Sequence, residues 1–236
     1  MALGKFITLE GGEGGGKSTQ ALRLAERLRD GGITVVTTRE PGGSEGAEAV
    51  RALLVDGKPD RWSVAAEACL INAARADHIE RLIRPALARG DWVVCDRFVD
   101  STLAYQGAGK GLADSALRSL HHIAAADLWP DLTLLLDLPV AAGLARAAAR
   151  GGGGRFEAHD TDFHGRVRAG FLELAYSEPA RCRIVDASVD VDAVAAAVWA
   201  AVTPLFEARH APAQDGYRAP PATPAGPGMH VDTGDD

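Results

Sequence analysis

Near the start of the chain an apolar run, Lys5-Phe-Ile-Thr-Leu-Glu10, stops at a cluster of glycines. Beyond it, residues 17–30 carry apolar side chains at Ala21, Leu24, Ala25 and Leu28, the spacing of one buried helical face. Gly31-Gly32 ends that helix. Residues 34–38 are β-branched and predict a strand, followed by the loop Arg39-Glu-Pro-Gly-Gly43. Roughly 63–89 predicts a long helical region closed by Gly90. The runs 92–96 and 132–137 are almost wholly apolar, each ends in an aspartate, and both predict buried strands. A last short strand is expected over 183–186 and an alanine-rich helix over 191–202.

Strands of this kind alternating with helices predict an α/β fold, a parallel sheet covered on both faces. Ligands in such sheets lie beyond the carboxyl ends of the strands. The groups at Gly11, Arg39, Asp96 and Asp137 all fall there. After about Pro204 the apolar periodicity stops, and 211–236 is rich in proline and glycine. Such a segment cannot offset its ordering entropy, so 205–236 is expected to be a disordered tail behind a domain over 1–204.

Composition narrows the classes. The 236 residues carry a net charge of −7 with no dense Lys/Arg stripe, which disfavours nucleic acid as the main partner. No basic and apolar leader is seen at the N-terminus, and no apolar run reaches the roughly 20 residues that cross a bilayer. A cytoplasmic location without a membrane partner is therefore expected. Cys69, Cys95 and Cys182 are far apart and read as buried, reduced thiols rather than a zinc or disulfide framework. His121, His122, His159 and His164 form no metal-ligand pattern and read as structural or solvated.

The segment Gly11-Gly12-Glu13-Gly14-Gly15-Gly16-Lys17-Ser18, followed by Thr19, matches the P-loop pattern G-x-x-x-x-G-K-[ST]. Its glycines let backbone N–H groups turn around phosphates at a helix N-terminus. Lys17 suits the β- and γ-phosphates of ATP, and the Ser18 hydroxyl suits Mg²⁺. A guanine-specific switch protein needs an Asn-Lys-x-Asp segment. Asn72, the sole asparagine, precedes alanine, so a small-molecule kinase becomes the leading class.

Three further segments refine this: Thr38-Arg-Glu-Pro-Gly-Gly-Ser44, Ala73-Ala-Arg75-Ala-Asp-His78 and Asp96-Arg-Phe-Val-Asp-Ser-Thr-Leu-Ala-Tyr105-Gln-Gly107. With the phosphate loop, and in this order, they resemble the bacterial thymidylate kinases over roughly 4–202. The resemblance implies a P-loop NTPase fold with a five-stranded parallel sheet and a short lid. It also implies the reaction ATP + dTMP → ADP + dTDP with Mg²⁺, usually in a homodimer. By the same resemblance Asp96 helps order Mg²⁺, Arg97 holds the acceptor phosphate, and Arg39 lies on the phosphate side. Arg75 matches the residue that bonds the thymine carbonyl, and Ser101, Thr102 and Gln106 lie near the polar edge of the ring. Tyr105 matches the aromatic residue beneath the deoxyribose; read without the resemblance it is equally a core residue. Glu13 corresponds to the carboxylate that accepts the sugar 3′-hydroxyl. Ile71 stands where the family commonly stacks a phenylalanine, which removes an aromatic term of about 0.5–1.5 kcal/mol.

Arg146 and Arg150 fall four residues apart on a predicted helix, followed by Gly151–Gly154 and Arg155. Arginines on an alanine-rich helix are ordinarily solvated. Beside a run of four glycines in a P-loop kinase, they instead read as a lid over about 146–160, with a mobile glycine hinge. The phosphate loop has no arginine, and Gly14 stands where some family members carry one. Arg150 and Arg155, with Arg146 as a third candidate, are therefore expected to supply the catalytic charge.

Overall fold

The computed structural model of the chain describes residues 3–58, 60–151 and 154–210. Five strands, β1 (Phe6–Glu10), β2 (Val35–Arg39), β3 (Trp92–Asp96), β4 (Leu132–Asp137) and β5 (Cys182–Asp186), form one parallel sheet in the order β2-β3-β1-β4-β5. The apolar patterns follow from this order. The central strands β1, β3 and β4 are buried nearly throughout, whereas the edge strands β2 and β5 expose several positions.

Alternate residues of β1 face opposite sides of the sheet. Ile7 and Leu9 join Leu24 and Leu28 of α1 (Lys17–Asp30) and Val194, Val198 and Val202 of α9 (Val191–His210) in one core. Phe6 faces the other side, with Ala68, Ile79, Ile83 and Phe98. A third cluster around Tyr105, Phe163 and Phe171 covers Leu135 and Cys182. Between these lie α2 (Glu45–Val55), α3 (Val64–His78), α4 (Arg84–Ala88), α5 (Val99–Thr102), α6 (Asp114–Ala125), α7 (Val140–Ala149) and α8 (Thr161–Ser177).

Several elements differ from the expected ones. The loop after β2 gives way to α2, whose N-cap Ser44 accepts from the Ala47 N–H, with Glu45 and Glu48 in the favourable first turn. The region 63–89 is not one regular helix. A π-helical turn, Ile79–Ile83, separates α3 from α4, and Pro85, which has no N–H to donate, follows it at the start of α4. Cys69 is exposed, although Cys95 and Cys182 are buried. Helix α9 continues past Pro204 to His210, because Leu205 and Phe206 still pack on the core, so 205–210 is not tail. The rest of the expected tail, 211–236, lies outside the described residues, as do Gly152 and Gly153 of the expected hinge. By length and mean hydropathy α9 also reaches the size of a bilayer span, contrary to expectation. Its valine face is nonetheless buried against the sheet.

The loop 11–16, from β1 to α1, is pressed against the first turn of α7. A Cβ on Gly14 (φ 69°) would stand 2.1 Å from the Gly143 carbonyl oxygen, and one on Gly143 would stand 2.4 Å from that of Glu13. Both are backbone atoms, so neither clash is relieved by a side-chain rotation. Gly143→Ala is expected to destabilise by about 1–3 kcal/mol, the strain outweighing a helix-propensity gain of about 1 kcal/mol. Gly165→Ala, on α8 with open space around its Cα, should stabilise by about 0.5–1 kcal/mol. Urea midpoints moving in opposite directions for the two variants would verify this packing.

Candidate active site

The carboxyl ends of β1, β2 and β3 lie side by side, with Leu9 and Arg39 both in register with Asp96. Above them the phosphate loop curls. Gly16 takes a left-handed conformation immediately before α1, which starts at Lys17. The Lys17 ammonium donates to the Gly12 carbonyl at 2.6 Å and is buried. Burial and the neighbouring Arg97 charge bring its pKa down to about 8, against the pull of Glu13, Asp96 and Glu10. The Ser18 hydroxyl donates to an Asp96 carboxylate oxygen. Gly14, Gly15, Gly16, Lys17, Ser18 and Thr19 line a cleft of about 160 Å³ completed by Glu13, Asp96, Arg97 and Arg150. The structure thus brings Arg150 to the phosphate loop.

Arg97 is the centre of the next layer. It has φ 70°, a left-handed conformation that costs a non-glycine residue about 1–2 kcal/mol. Its guanidinium donates to the Gly11 carbonyl (2.9 Å), Ser101 Oγ (3.0 Å), Glu13 Oε1 (3.1 Å) and Tyr105 Oη (3.2 Å). Tyr105 Oη also donates to Glu13 Oε1 at 2.6 Å. Burial works against ionising Glu13, but the Arg97 and Lys17 charges prevail and hold its pKa down at about 2. Below this layer, buried Glu10 accepts from the Phe98 N–H (2.7 Å) and Ser101 Oγ (2.6 Å). Burial, then the Asp100 charge, push the Glu10 pKa up to about 8.

A second cleft, about 350 Å³, opens on the other side of Arg97. Its floor holds Arg75, 1% exposed, which donates to Glu40 (2.8 Å), Thr102 Oγ1 (2.9 Å) and Asn72 Oδ1 (3.3 Å). Glu40 also meets His78 Nδ1 at 3.1 Å. Ile71, Ser101, Thr102, Tyr105 and Gln106 line the cleft, as does Arg39, which is bonded to both Glu48 oxygens at 2.9 Å. The Tyr105 ring packs edge-on against Phe156, Phe163 and Phe171, as a core residue does, and its hydroxyl reaches Glu13.

The three lid arginines separate. Arg155 is not brought to the phosphate loop. Its side chain is buried, pairs with Glu67, and donates to the Leu54 and Lys58 carbonyls, both at 3.0 Å. Arg146 donates to the Ala187 (2.8 Å) and Ser188 (3.3 Å) carbonyls after β5. Residues absent from the sequence-based set also line the larger cleft: Glu40, Arg51, Phe98 and Phe156. Arg51, whose Nη1 donates to the Pro41 carbonyl at 2.6 Å, sits on α2. The Ser44 cap and the acidic first turn were the signals that place it on a helix beside the Arg39 loop. Among the described residues no group of three or more His, Cys, Asp or Glu is arranged to hold a metal.

The sequence matches the thymidylate kinase family model over residues 9–198. It is 57% identical to a thymidylate kinase of Caulobacter vibrioides over 198 residues, covering 84% of this chain and 95% of that one. A thymidylate kinase of Rhizorhabdus wittichii is 54% identical, with 86% and 99% covered. Among solved structures, the crystal structure of thymidylate kinase from Ehrlichia chaffeensis superposes with a TM-score of 0.67 at 34% identity, covering 84% of this chain and 98% of that one. The P-loop, the paired clefts and these likenesses agree, and the chain belongs to the thymidylate kinase family.

Proposed function

We propose that this chain transfers the γ-phosphoryl group of ATP to dTMP, giving ADP and dTDP. The observation that carries this reading is the contiguity of the two clefts, which share Glu13, Ser18, Asp96 and Arg97. A donor phosphate on the loop and an acceptor phosphate in the larger cleft would meet at those side chains.

The acceptor phosphate is already anionic near neutral pH, so the reaction needs alignment and charge neutralisation more than a strong base. Lys17 and the loop N–H groups would hold the β- and γ-phosphates, and Arg150 would add charge from α7. Arg97, with Arg39 and Arg51 in the same cleft, would hold the acceptor phosphate; guanidinium groups suit its oxygens by bidentate bonding. Arg75, Thr102 and Gln106 would face the polar edge of thymine, with Ile71 covering the ring. Glu13 and Tyr105 would engage the deoxyribose. Ser18 and Asp96 together form a hard-oxygen donor set that fits Mg²⁺. There the ion would neutralise charge on the phosphate oxygens. The same reading assigns a cytoplasmic homodimer with no nucleic-acid or membrane partner, supported by the family likeness and the −7 charge.

Coupled ADP release should be fastest with dTMP among dTMP, dUMP, CMP and AMP; a clear preference for another acceptor would reject the assignment. Lys17→Ala and Arg97→Ala should each lower turnover by roughly a hundredfold or more while the far-UV spectrum stays unchanged, as for loss of transition-state charge partners. Near-normal rates in a folded Arg97→Ala enzyme would remove that residue from the mechanism.

The Lys17 pKa gives a pH dependence. The group is cationic below about pH 8 and loses its charge as pH rises through that value. The profile of kcat/KM for ATP should therefore fall above about pH 8. The kcat profile should stay level to higher pH, because bound phosphates favour the ammonium form. Identical profiles for the two parameters would exclude Lys17 as the titrating group.

A further inference from the structure

Residues 67, 71 and 75 of α3 are spaced four apart, so they share one helical face. Ile71 and Arg75 line the acceptor cleft, and Glu67, fully buried, lies one turn behind them. Burying a carboxylate is costly unless its oxygens are matched by donors. Here they are matched from three directions. Oε1 accepts from Gln106 Nε2 and from Lys110 Nζ, each at 2.7 Å, and Oε2 accepts from the Arg155 guanidinium.

Two of the donors, Gln106 and Arg155, line the cleft from different segments, and Lys110 ends the segment that carries Gln106. Arg155 belongs to the segment between α7 and α8, and its other nitrogens donate to the Leu54 and Lys58 carbonyls. One side chain therefore ties that segment to α2, to the loop after it and to α3. Phe156, next in sequence, lies beside the Arg155 and Lys110 cations at 5.1 and 5.7 Å and meets the Tyr105 ring edge-on at 5.9 Å. It thereby forms part of the cleft lining.

Gln106 supplies the second consequence. A carboxylate can accept but not donate, so Glu67 selects the NH₂ end of the Gln106 amide. The opposite end, Oε1, is buried and has no hydrogen-bond partner among the described residues. Gln106 lines the cleft, so an unpartnered acceptor whose polarity is fixed from behind lies in the wall, just beneath its surface. An imide N–H, as in thymine or uracil, complements that acceptor; the unprotonated ring nitrogen of cytosine does not.

We propose that Glu67 is a positioning residue that performs two tasks at once. It latches the 154–157 segment over the acceptor cleft through Arg155, and it holds the Gln106 amide with its oxygen, rather than its NH₂, left unpaired in the cleft wall. This inference rests on the larger cleft being the acceptor site. Removing the negative charge would leave the Lys110 and Arg155 cations without the group that joins them, and it would free the amide to turn.

The test compares wild type with Glu67→Gln and, in case that variant does not fold, with Arg155→Gln, which removes the latch from the other side. Wild-type turnover of dTMP is measured first and separately decides the acceptor-site reading. Latch opening is then read without nucleotide, as the rate of tryptic cleavage at the Arg155–Phe156 bond. In either variant KM for dTMP should rise roughly tenfold to hundredfold, the usual effect of losing a buried charge-assisted hydrogen bond, with KM for ATP within about twofold. In Glu67→Gln the Arg155–Phe156 bond should be cut faster than in wild type, and the dTMP-to-dCMP preference should fall. A folded Glu67→Gln enzyme with wild-type cleavage, KM and preference would overturn the proposal, as would an equal loss in KM for both nucleotides. If only Arg155→Gln folds, an unchanged KM for dTMP does the same.

Discussion

The Arg97 guanidinium is a permanent charge with 18% of its side chain exposed, and the chemistry of the site is arranged around accommodating it. Such a charge inside a protein is tolerable when its donors find acceptors. Four acceptors from three segments serve its two Nη groups: the Gly11 carbonyl and Glu13 from the phosphate loop, Ser101 from α5, and Tyr105 from the segment after it. The positive φ at Arg97 turns the chain sharply at the end of β3, and the Arg97 N–H still reaches the Leu9 carbonyl at 3.0 Å. Glu10 supports the same junction from below by capping Phe98 N–H and Ser101. The two clefts therefore meet at Arg97 and Glu13, which line both and are bonded to each other.

How much of this was legible depended on how local the signal was. The central strands were plain, because β1, β3 and β4 are covered on both faces and so read as unbroken apolar runs. The phosphate loop was plain because its function is met by consecutive residues. Helix α2 was not, since Gly42, Gly43 and Gly46 around its cap give the stretch the composition of a loop. Arg51 was lost with it. Glu40 and Glu67 were invisible for a different reason. A carboxylate buried against an arginine 35 or 88 positions away leaves no periodic trace, and both look like ordinary surface residues in sequence.

The lid shows the same limit. Arg150 and Arg155 flank a run of glycines, and spacing across such a run does not specify direction. Composition made the two equivalent. Packing does not: the buried Glu67 carboxylate pairs with Lys110 on one oxygen and with Arg155 on the other. What remains for the phosphate loop is Arg150, at the carboxyl end of α7.

The reason Arg150 arrives there lies in the loop itself. With Gly14 in a left-handed conformation and its Cα against the Gly143 carbonyl, no side chain can stand at that position, so the loop cannot carry its own arginine there. The contact that forbids the arginine also places its substitute. Gly143 is fixed against the loop, and Arg150 follows seven residues later, about 10 Å further along the helix axis at 1.5 Å per residue. Seven residues are also close to two full turns, so Arg150 projects from the same face of α7 as Gly143. Arg146, one turn before Arg150, is instead engaged by the carbonyls after β5. A glycine–glycine contact and an arginine two turns beyond it thus act as one device. The helix is pinned at its start, and its end places a cation beside the phosphate loop.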